Sequence, residues 1–145
     1  MIITKTIEID AGHRVPNHKS KCKNFHGHRY KIEVAVSGEV ITKARDSNEG
    51  MVMDFGDLRS TLYDVIEKQY DHSFIMYDKD DYADKFREWQ EDDYQNIIFV
   101  PFIPTAENLA KHWYMLLKEA LKHKKIEIKQ VIVWETPTSA AIYEE

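Results

Sequence analysis

The sequence predicts an α+β domain with an antiparallel sheet, and three observations carry that prediction. Residues 26–37 alternate polar and apolar side chains with a period of two, the pattern of a strand with one buried face. Two stretches, opening at Asp54 and at Thr105, repeat their apolar residues every 3.6 positions, as helices with one buried stripe do. The order is strand-strand-helix, then helix-strand-strand, at hairpin spacings that leave no room for parallel crossovers.

The elements follow in order. Ile7 and Ile9 alternate with Glu8 and Asp10, so residues 3–10 form a half-buried strand. Gly12, Pro16 and Asn17 break regularity, and residues 11–24 read mostly as loop. In the next strand Tyr30, Ile32, Val34 and Val36 share a face with His26 and His28, which puts both imidazoles at one end of the inward face. Gly38 opens a turn, residues 42–50 are a polar loop, and Met51-Val52-Met53 returns as a short antiparallel strand. Asp54 caps a helix with Asp57 in its first turn, and Phe55, Leu58, Leu62, Val65 and Ile66 line it to about Tyr70.

Asp78 to Tyr94 is strongly acidic, with Tyr82, Phe86 and Trp89 at i, i+4 and i+7. It reads as an amphipathic helix with an aromatic stripe, either docked on the surface or acting as a lid or partner surface. Ile97 to Phe102 is a short apolar strand ended by Pro101 and Pro104. Thr105 caps the next helix, Glu107 sits in its first turn, and Leu109, Trp113, Leu116, Leu117, Ala120 and Leu121 form its buried face. Ile126 to Trp134 is a strand whose alternation slips at Lys129-Gln130, as a bulge would make it. Glu135 to Ser139 turns into a last strand, Ala140 to Tyr143.

At 145 residues the chain is one domain, 1–145, large enough for a real core. A hydrophobic share of 43% with 31% charged residues is globular composition. No apolar run approaches the roughly 20 residues that span a bilayer, and Met1-Ile2-Ile3-Thr4-Lys5 lacks a signal-peptide layout. A single cysteine, Cys22, excludes an internal disulfide framework and leads us to expect a reducing cytoplasm. A net charge of −5 argues against a nucleic-acid or membrane partner. Positive charge is local instead: Arg14, Lys19, Lys21, Lys23, Arg29 and Lys31 fall within Ala11 to Lys31, which contains no Asp or Glu. Its natural use is a small anionic ligand.

The same stretch holds the candidate chemistry. Three histidines with an open fourth position make a catalytic zinc site, and His13, His26 and His28 are candidates. On spacing alone, metal binding and core hydrogen bonding of the two strand imidazoles both stand. Cys22 reads either as an inert small hydrophobe or, between Lys21 and Lys23, as a reactive thiolate. Asp71-His72 reads as a helix-end pair. Glu135, on an apolar strand, needs a partner, and a ligand with N–H donors would serve. His18, His112 and His123 read as loop or surface residues. The five glycines form no phosphate loop, which leaves Walker or Rossmann nucleotide binding unsupported.

Taken together, Ala11-Gly12-His13, Cys22-Lys23-Asn24-Phe25-His26-Gly27-His28, Met53-Asp54-Phe55, Asp71-His72, Pro104-Thr105-Ala106-Glu107 and Glu135-Thr136 resemble the successive landmarks of the 6-pyruvoyl-tetrahydropterin synthase family. The resemblance spans nearly the whole chain. The gap from Cys22 to His26 is similar to that of its bacterial 6-carboxy-5,6,7,8-tetrahydropterin synthase branch. The animal-type pyruvoyl branch has a longer gap, and a folate-pathway branch uses a glutamate absent from this loop.

The resemblance implies the tunnelling fold, a four-stranded antiparallel sheet with two helices on one face. It implies homo-oligomers, trimers or hexamers, with active sites at subunit interfaces. The substrate would be 7,8-dihydroneopterin triphosphate, and the products 6-carboxy-5,6,7,8-tetrahydropterin, acetaldehyde and triphosphate, on the way to queuosine-type deazapurines. Residue by residue, it implies Zn2+ on His13, His26 and His28, with Cys22 as general base and Asp71-His72 as proton relay. Glu135 would anchor the pterin's guanidine-like edge and join the relay, and Thr105 and Glu107 would line the pterin pocket.

The chain departs from the family at 78–96, an acidic helical insertion in a connection expected to be compact. It also departs at Gly12, where the family has a small residue with a side chain, a change expected to be mild. Three readings compete with the lyase: 6-pyruvoyl-tetrahydropterin formation with the side-chain carbons kept, a non-catalytic pterin- or purine-binding module, and a cupin-like oxygenase. The last needs more strands than the chain shows.

Overall fold

The computed structural model describes residues 1–91 and 95–145. Strands β1 (Ile2–His13) and β2 (His26–Gly38) pair antiparallel from Ile2 opposite Ser37 to His13 opposite His26. β3 (Ser73–Tyr77), β4 (Ile97–Val100), β5 (Ile126–Thr136) and β6 (Ser139–Glu144) complete a sheet of order β4-β3-β1-β2-β5-β6. The four expected antiparallel strands are its β1-β2-β5-β6 portion, but the described sheet has six strands and is mixed. β3 runs parallel to β1, and β4 parallel to β3.

The expectation of no parallel crossover fails at the acidic segment 78–96. Its helix α2 (Ala83–Glu91) lies between β3 and β4 and makes the crossover of a strand-helix-strand unit. β3, read as no element at all, follows Asp71-His72 directly and is too short to show a period. Residues 92–94, the end of the predicted acidic helix, lie outside the described residues. Phe86 alone of the predicted stripe is buried; Tyr82 and Trp89 stay half exposed.

Two other expectations are corrected. Met51-Val52-Met53 is not a strand; Ile41 and Met51 close a loop through Ile41 N–H to Met51 O at 2.8 Å and Gly50 N–H to Ile41 O at 2.8 Å. β1 also runs three residues further than predicted, through Gly12 to His13, because the pairs Gly12–Gly27 and His13–His26 extend its ladder.

Helix α1 (Phe55–Leu62) starts at Asp54, whose side chain accepts from the Gly56 N–H. It continues through a π-helical turn (Tyr63–Glu67) and a last turn (Lys68–Tyr70). Its buried residues Leu58, Leu62, Ile66 and Tyr70 recur every four positions, which overshoots a 3.6-residue turn, and the wider turn takes up that drift. Helix α3 (Ala106–Leu121) starts at Thr105, whose hydroxyl accepts from the Asn108 N–H at 3.4 Å. Both helices pack on the inward face of β1, β2 and β5 in one core that includes Tyr30, Ile32, Val34, Trp113 and Val133. α2 belongs to a smaller cluster of Met76, Phe86 and Ile97. The slip in β5 is a bulge: Ala35 faces Gln130 and Val36 faces Ile128, so Lys129 is the extra residue.

Gly12 is the most tightly packed glycine at this end of the sheet. A Cβ there would meet Phe74 Cδ2 at 2.5 Å, so the Phe74 ring of β3 lies closer to β1 than a side chain permits. Gly12→Ala therefore destabilises the fold, by about 1–3 kcal/mol for overpacking, read as a lower urea midpoint with an unchanged slope.

Candidate active site

The sheet ends that carry the histidines meet at the last rung of β1 and β2. His13 and His26 face each other across that rung, and His28 is one inward position further along β2. Their ring centroids lie 4.5 Å (His13–His26), 5.2 Å (His13–His28) and 5.1 Å (His26–His28) apart. One ring nitrogen from each falls within 4.8 Å of the others. Beneath them Tyr30 packs edge-on against His13 and His28, with its hydroxyl buried and its pKa raised by burial.

The backbone orients two of the rings. His13 Nδ1 lies 2.6 Å from the Pro104 carbonyl, and His26 Nδ1 lies 2.7 Å from the Asn24 carbonyl. A carbonyl only accepts, so each Nδ1 carries the proton and each Nε2 presents its lone pair, the tautomer a metal ligand needs. His13 Nε2 is buried with no hydrogen-bond partner, and Glu135 Oε1 stands 3.2 Å from it and 3.3 Å from His28 Nε2. Lone pairs of an imidazole and a carboxylate face one another there, an arrangement that a shared cation relieves. Burial lowers the His28 pKa against the pull of Glu135, which keeps its ring in the neutral, ligating form. The donor set fits zinc.

Glu135 owes its position to a second irregularity. The β5–β6 register shifts between Trp134 and Thr136, leaving Glu135 as the residue that β6 does not pair. With the imidazoles protonated, the His13 N–H, foremost, and the charges of His13, His28 and His26 lower the Glu135 carboxyl pKa against partial burial; a shared cation in place of those protons would act in the same direction.

Asp71-His72 arrives from the other side of β1. The Asp71 carboxylate accepts from the Asp10 N–H at 2.8 Å, and the His72 N–H donates to the Asp10 carbonyl at 2.7 Å. His72 Nδ1 lies 2.9 Å from Asp71 Oδ2, and His72 adopts φ of 56°, in the left-handed region where a non-glycine residue is strained. Burial works against the Asp71 carboxylate, but the Asp10 N–H and His72 outweigh it and lower its pKa. His72 is exposed and shares with His28, Gly12, Gly27 and Arg29 an open groove of about 470 Å³.

The remaining candidates are placed less centrally. Cys22 is half buried in the short 3-10 turn Lys21–Lys23 and lies outside the three-histidine group. Thr105 directly follows Pro104, the residue that anchors His13, while Glu107 is exposed in the first turn of α3. Of the six local cations, two pair with carboxylates among the described residues. Arg29 makes a bidentate pair with Asp10 at 2.9 and 2.8 Å, and Arg14 lies 3.0 Å from Asp80.

The structure also shows residues that spacing did not reveal. Asn24 and Pro104 act through backbone carbonyls, and Asp10 through its backbone and side chain together; no side-chain pattern announces a carbonyl's aim. His112, read as a surface residue, is half buried on α3 with its Nε2 2.7 Å from the Tyr70 hydroxyl.

The sequence matches the 6-pyruvoyl tetrahydropterin synthase family over residues 2–145. The chain belongs to that family. Among curated relatives it is 33% identical to the 6-carboxy-5,6,7,8-tetrahydropterin synthase of Haemophilus influenzae, over 99% of this chain and 98% of the relative. It is 36% identical to the protein of that name from Aquifex aeolicus, over 99% and 97%. Among solved structures, an uncharacterized protein from Wolinella succinogenes shares the fold with a TM-score of 0.82 at 24% identity, covering 100% of this chain and 98% of that one. The Caenorhabditis elegans 6-pyruvoyl tetrahydropterin synthase aligns with a TM-score of 0.69 at 25% identity, covering 100% and 95%.

The three histidines could hold a metal ion, and His28→Ala removes one of the three candidate donors. Affinity for a divalent metal is expected to fall by at least about 10-fold, the scale of losing even a supporting partner of a metal site, measured by competition with a chromophoric chelator.

Proposed function

We propose that the protein is a zinc-dependent carbon–carbon lyase. It converts 7,8-dihydroneopterin triphosphate to 6-carboxy-5,6,7,8-tetrahydropterin, releasing acetaldehyde and triphosphate, as a step toward queuosine-type deazapurines. The observation that carries this reading is the convergence of His13, His26, His28 and Glu135 on one point, with the Nε2 lone pairs of His13 and His26 freed by backbone carbonyls. Full-length similarity to two proteins named 6-carboxy-5,6,7,8-tetrahydropterin synthase selects the product.

Zinc held by the three histidines would supply Lewis acidity to the oxygens of the substrate side chain, acidifying the adjacent C–H bonds. Cys22 is the proposed base, and it takes the proton from the side-chain carbon. His72 is the proposed partner. Its Nδ1 faces Asp71, which fixes the ring's tautomer and leaves Nε2 to pass a proton. Glu135, held ionised among the imidazoles, accepts N–H bonds from the guanidine-like edge of the pterin. Thr105 and Glu107 line the pterin pocket beside Pro104, and Lys19, Lys21, Lys23 and Lys31 are the cations left exposed for the triphosphate.

The half-site on β1 and β2 and the Asp71-His72 pair do not enclose a cavity by themselves, so we assign the working enzyme as a homo-oligomer, trimeric or hexameric, with the site completed between subunits. Its setting is the cytoplasm, and it has no nucleic-acid or membrane partner. No described helix is long and apolar enough to cross a membrane.

The test is to incubate zinc-loaded protein with 7,8-dihydroneopterin triphosphate and identify products by mass. Acetaldehyde with the 6-carboxy product is expected; a 6-pyruvoyl product with all side-chain carbons retained overturns the assignment in favour of the pyruvoyl synthase, and tight binding with no turnover favours a pterin-binding module. Cys22→Ala lowers turnover by about 10²–10⁴-fold, the usual worth of a positioned base, with zinc content unchanged. Near-normal rates would show that another group is the base.

A further inference from the structure

The acidic insertion does more than cross between strands. The last rung of the β1–β2 ladder is His13–His26, and beyond it the chain leaves the sheet as Arg14 on one side and Phe25 on the other. The loop between them closes mainly on itself, through Val15 N–H to Cys22 O at 2.8 Å. Both exits are held by the segment that carries α2. Arg14 Nε lies 3.0 Å from Asp80 Oδ2, with the Arg14 side chain 10% exposed and that of Asp80 fully buried. Asp80 is itself fixed, because its other oxygen caps the start of α2 by accepting from the Tyr82 N–H at 3.0 Å.

Aromatic contacts seat the second exit. The Phe25 ring lies 5.3 Å from Tyr82, 5.4 Å from Phe86 and 5.7 Å from Phe74. The Arg14 guanidinium stacks over Tyr82 at 4.8 Å and over Phe25 at 5.5 Å, which joins the two exits into one cluster. α2 in turn is tied to the sheet by Gln90, whose amide donates to the Ile97 carbonyl at 2.7 Å. A terminal rung frays unless something outside the ladder holds it. Here that something is the insertion, one residue away from two of the three histidines.

We propose that Asp80 and Arg14 are positioning residues for the zinc centre, and that the insertion braces the His13–His26 rung and the Cys22 loop in ligating geometry. This rests on the reading of the three histidines as a zinc site. Removing either charge leaves its partner buried and uncompensated, so the pair opens and the rung loses its outer support.

The test compares zinc affinity and the visible spectrum of the cobalt-substituted protein in wild type, Asp80→Asn, Arg14→Met and Tyr82→Leu, well below each unfolding temperature. Tyr82→Leu removes the stack at a half-exposed position and decides the matter if the buried-charge variants fail to fold. Asp80→Asn and Arg14→Met are expected to bind zinc at least about 10-fold more weakly, the scale of supporting residues around a metal. Tyr82→Leu should weaken it less, and the cobalt absorption should shift in all three. Glu88→Gln, on the exposed side of α2, should match wild type. Unchanged zinc affinity and cobalt spectrum, even with a lowered unfolding temperature, would show the pair to be purely structural and overturn the inference while leaving the zinc site intact. A wild-type chain that binds no zinc would instead overturn the site reading and this inference together.

Discussion

The register between β1 and β2 is the constraint on which the site depends. Ala11 faces His28, Gly12 faces Gly27 and His13 faces His26. Side chains alternate strictly across a strand, so a slip of one residue would turn the histidines away from the inward face and leave no cluster. What pins the register is the core further along the same ladder. Ile7 faces Ile32 and Ile9 faces Tyr30, and all four are buried under α1 and α3. The apolar burial that stabilises the sheet therefore also sets which nitrogens meet at its end. Stability and the placement of the three imidazoles are specified by one alternation.

That alternation positions the rings but does not orient them; backbone carbonyls do. Pro104 holds His13 and Asn24 holds His26. Pro104 stands immediately before Thr105, the residue whose hydroxyl caps α3, so the packing of that helix fixes the carbonyl that fixes the ring. Glu135 reaches the same point through a bulge that breaks its pairing with β6. Three separate local devices, a helix cap, a turn and a bulge, converge on one cluster.

Much of this was legible in the sequence because it depends on local rules. The period-two face of β2, the caps at Asp54 and Thr105 and the slip at Lys129 express side-chain periodicity or capping, and the structure has each. The buried face of α3 holds at Leu109, Trp113, Leu117 and Leu121, while Ala120 is exposed and Tyr114 is buried instead. The histidine trio was legible because His26 and His28 share a strand face. What escaped notice depends on partners distant in sequence. β3 is too short to show a period; β4 was read as a strand, but its parallel pairing, like that of β3, is decided by β1 and by α2. Met51-Val52-Met53 has strand-like composition, but no neighbouring strand remains to receive it. Arg14 looked like a ligand for an anion because its counter-charge, Asp80, lies 66 positions on, within a stretch read as an acidic helical insertion.

β1 is unusual in having partners of opposite sense on its two sides, and that asymmetry divides the chemistry. Its antiparallel neighbour β2 brings imidazoles to the inward face. Its parallel neighbour β3 begins where Asp71-His72 ends, so that pair, the proposed proton relay, is delivered to the opposite edge of the same strand end. Asp10 is the junction. Its N–H and carbonyl hold Asp71 and His72, while its carboxylate takes Arg29 of β2 in a bidentate pair. The strained backbone of His72 is tolerated because that carbonyl accepts its N–H and the Asp71 carboxylate faces its ring. Both halves are thus referenced to one strand, and their relative placement depends on the rigidity of β1 rather than on any contact between them. Such a design leaves the space between the halves open for a ligand.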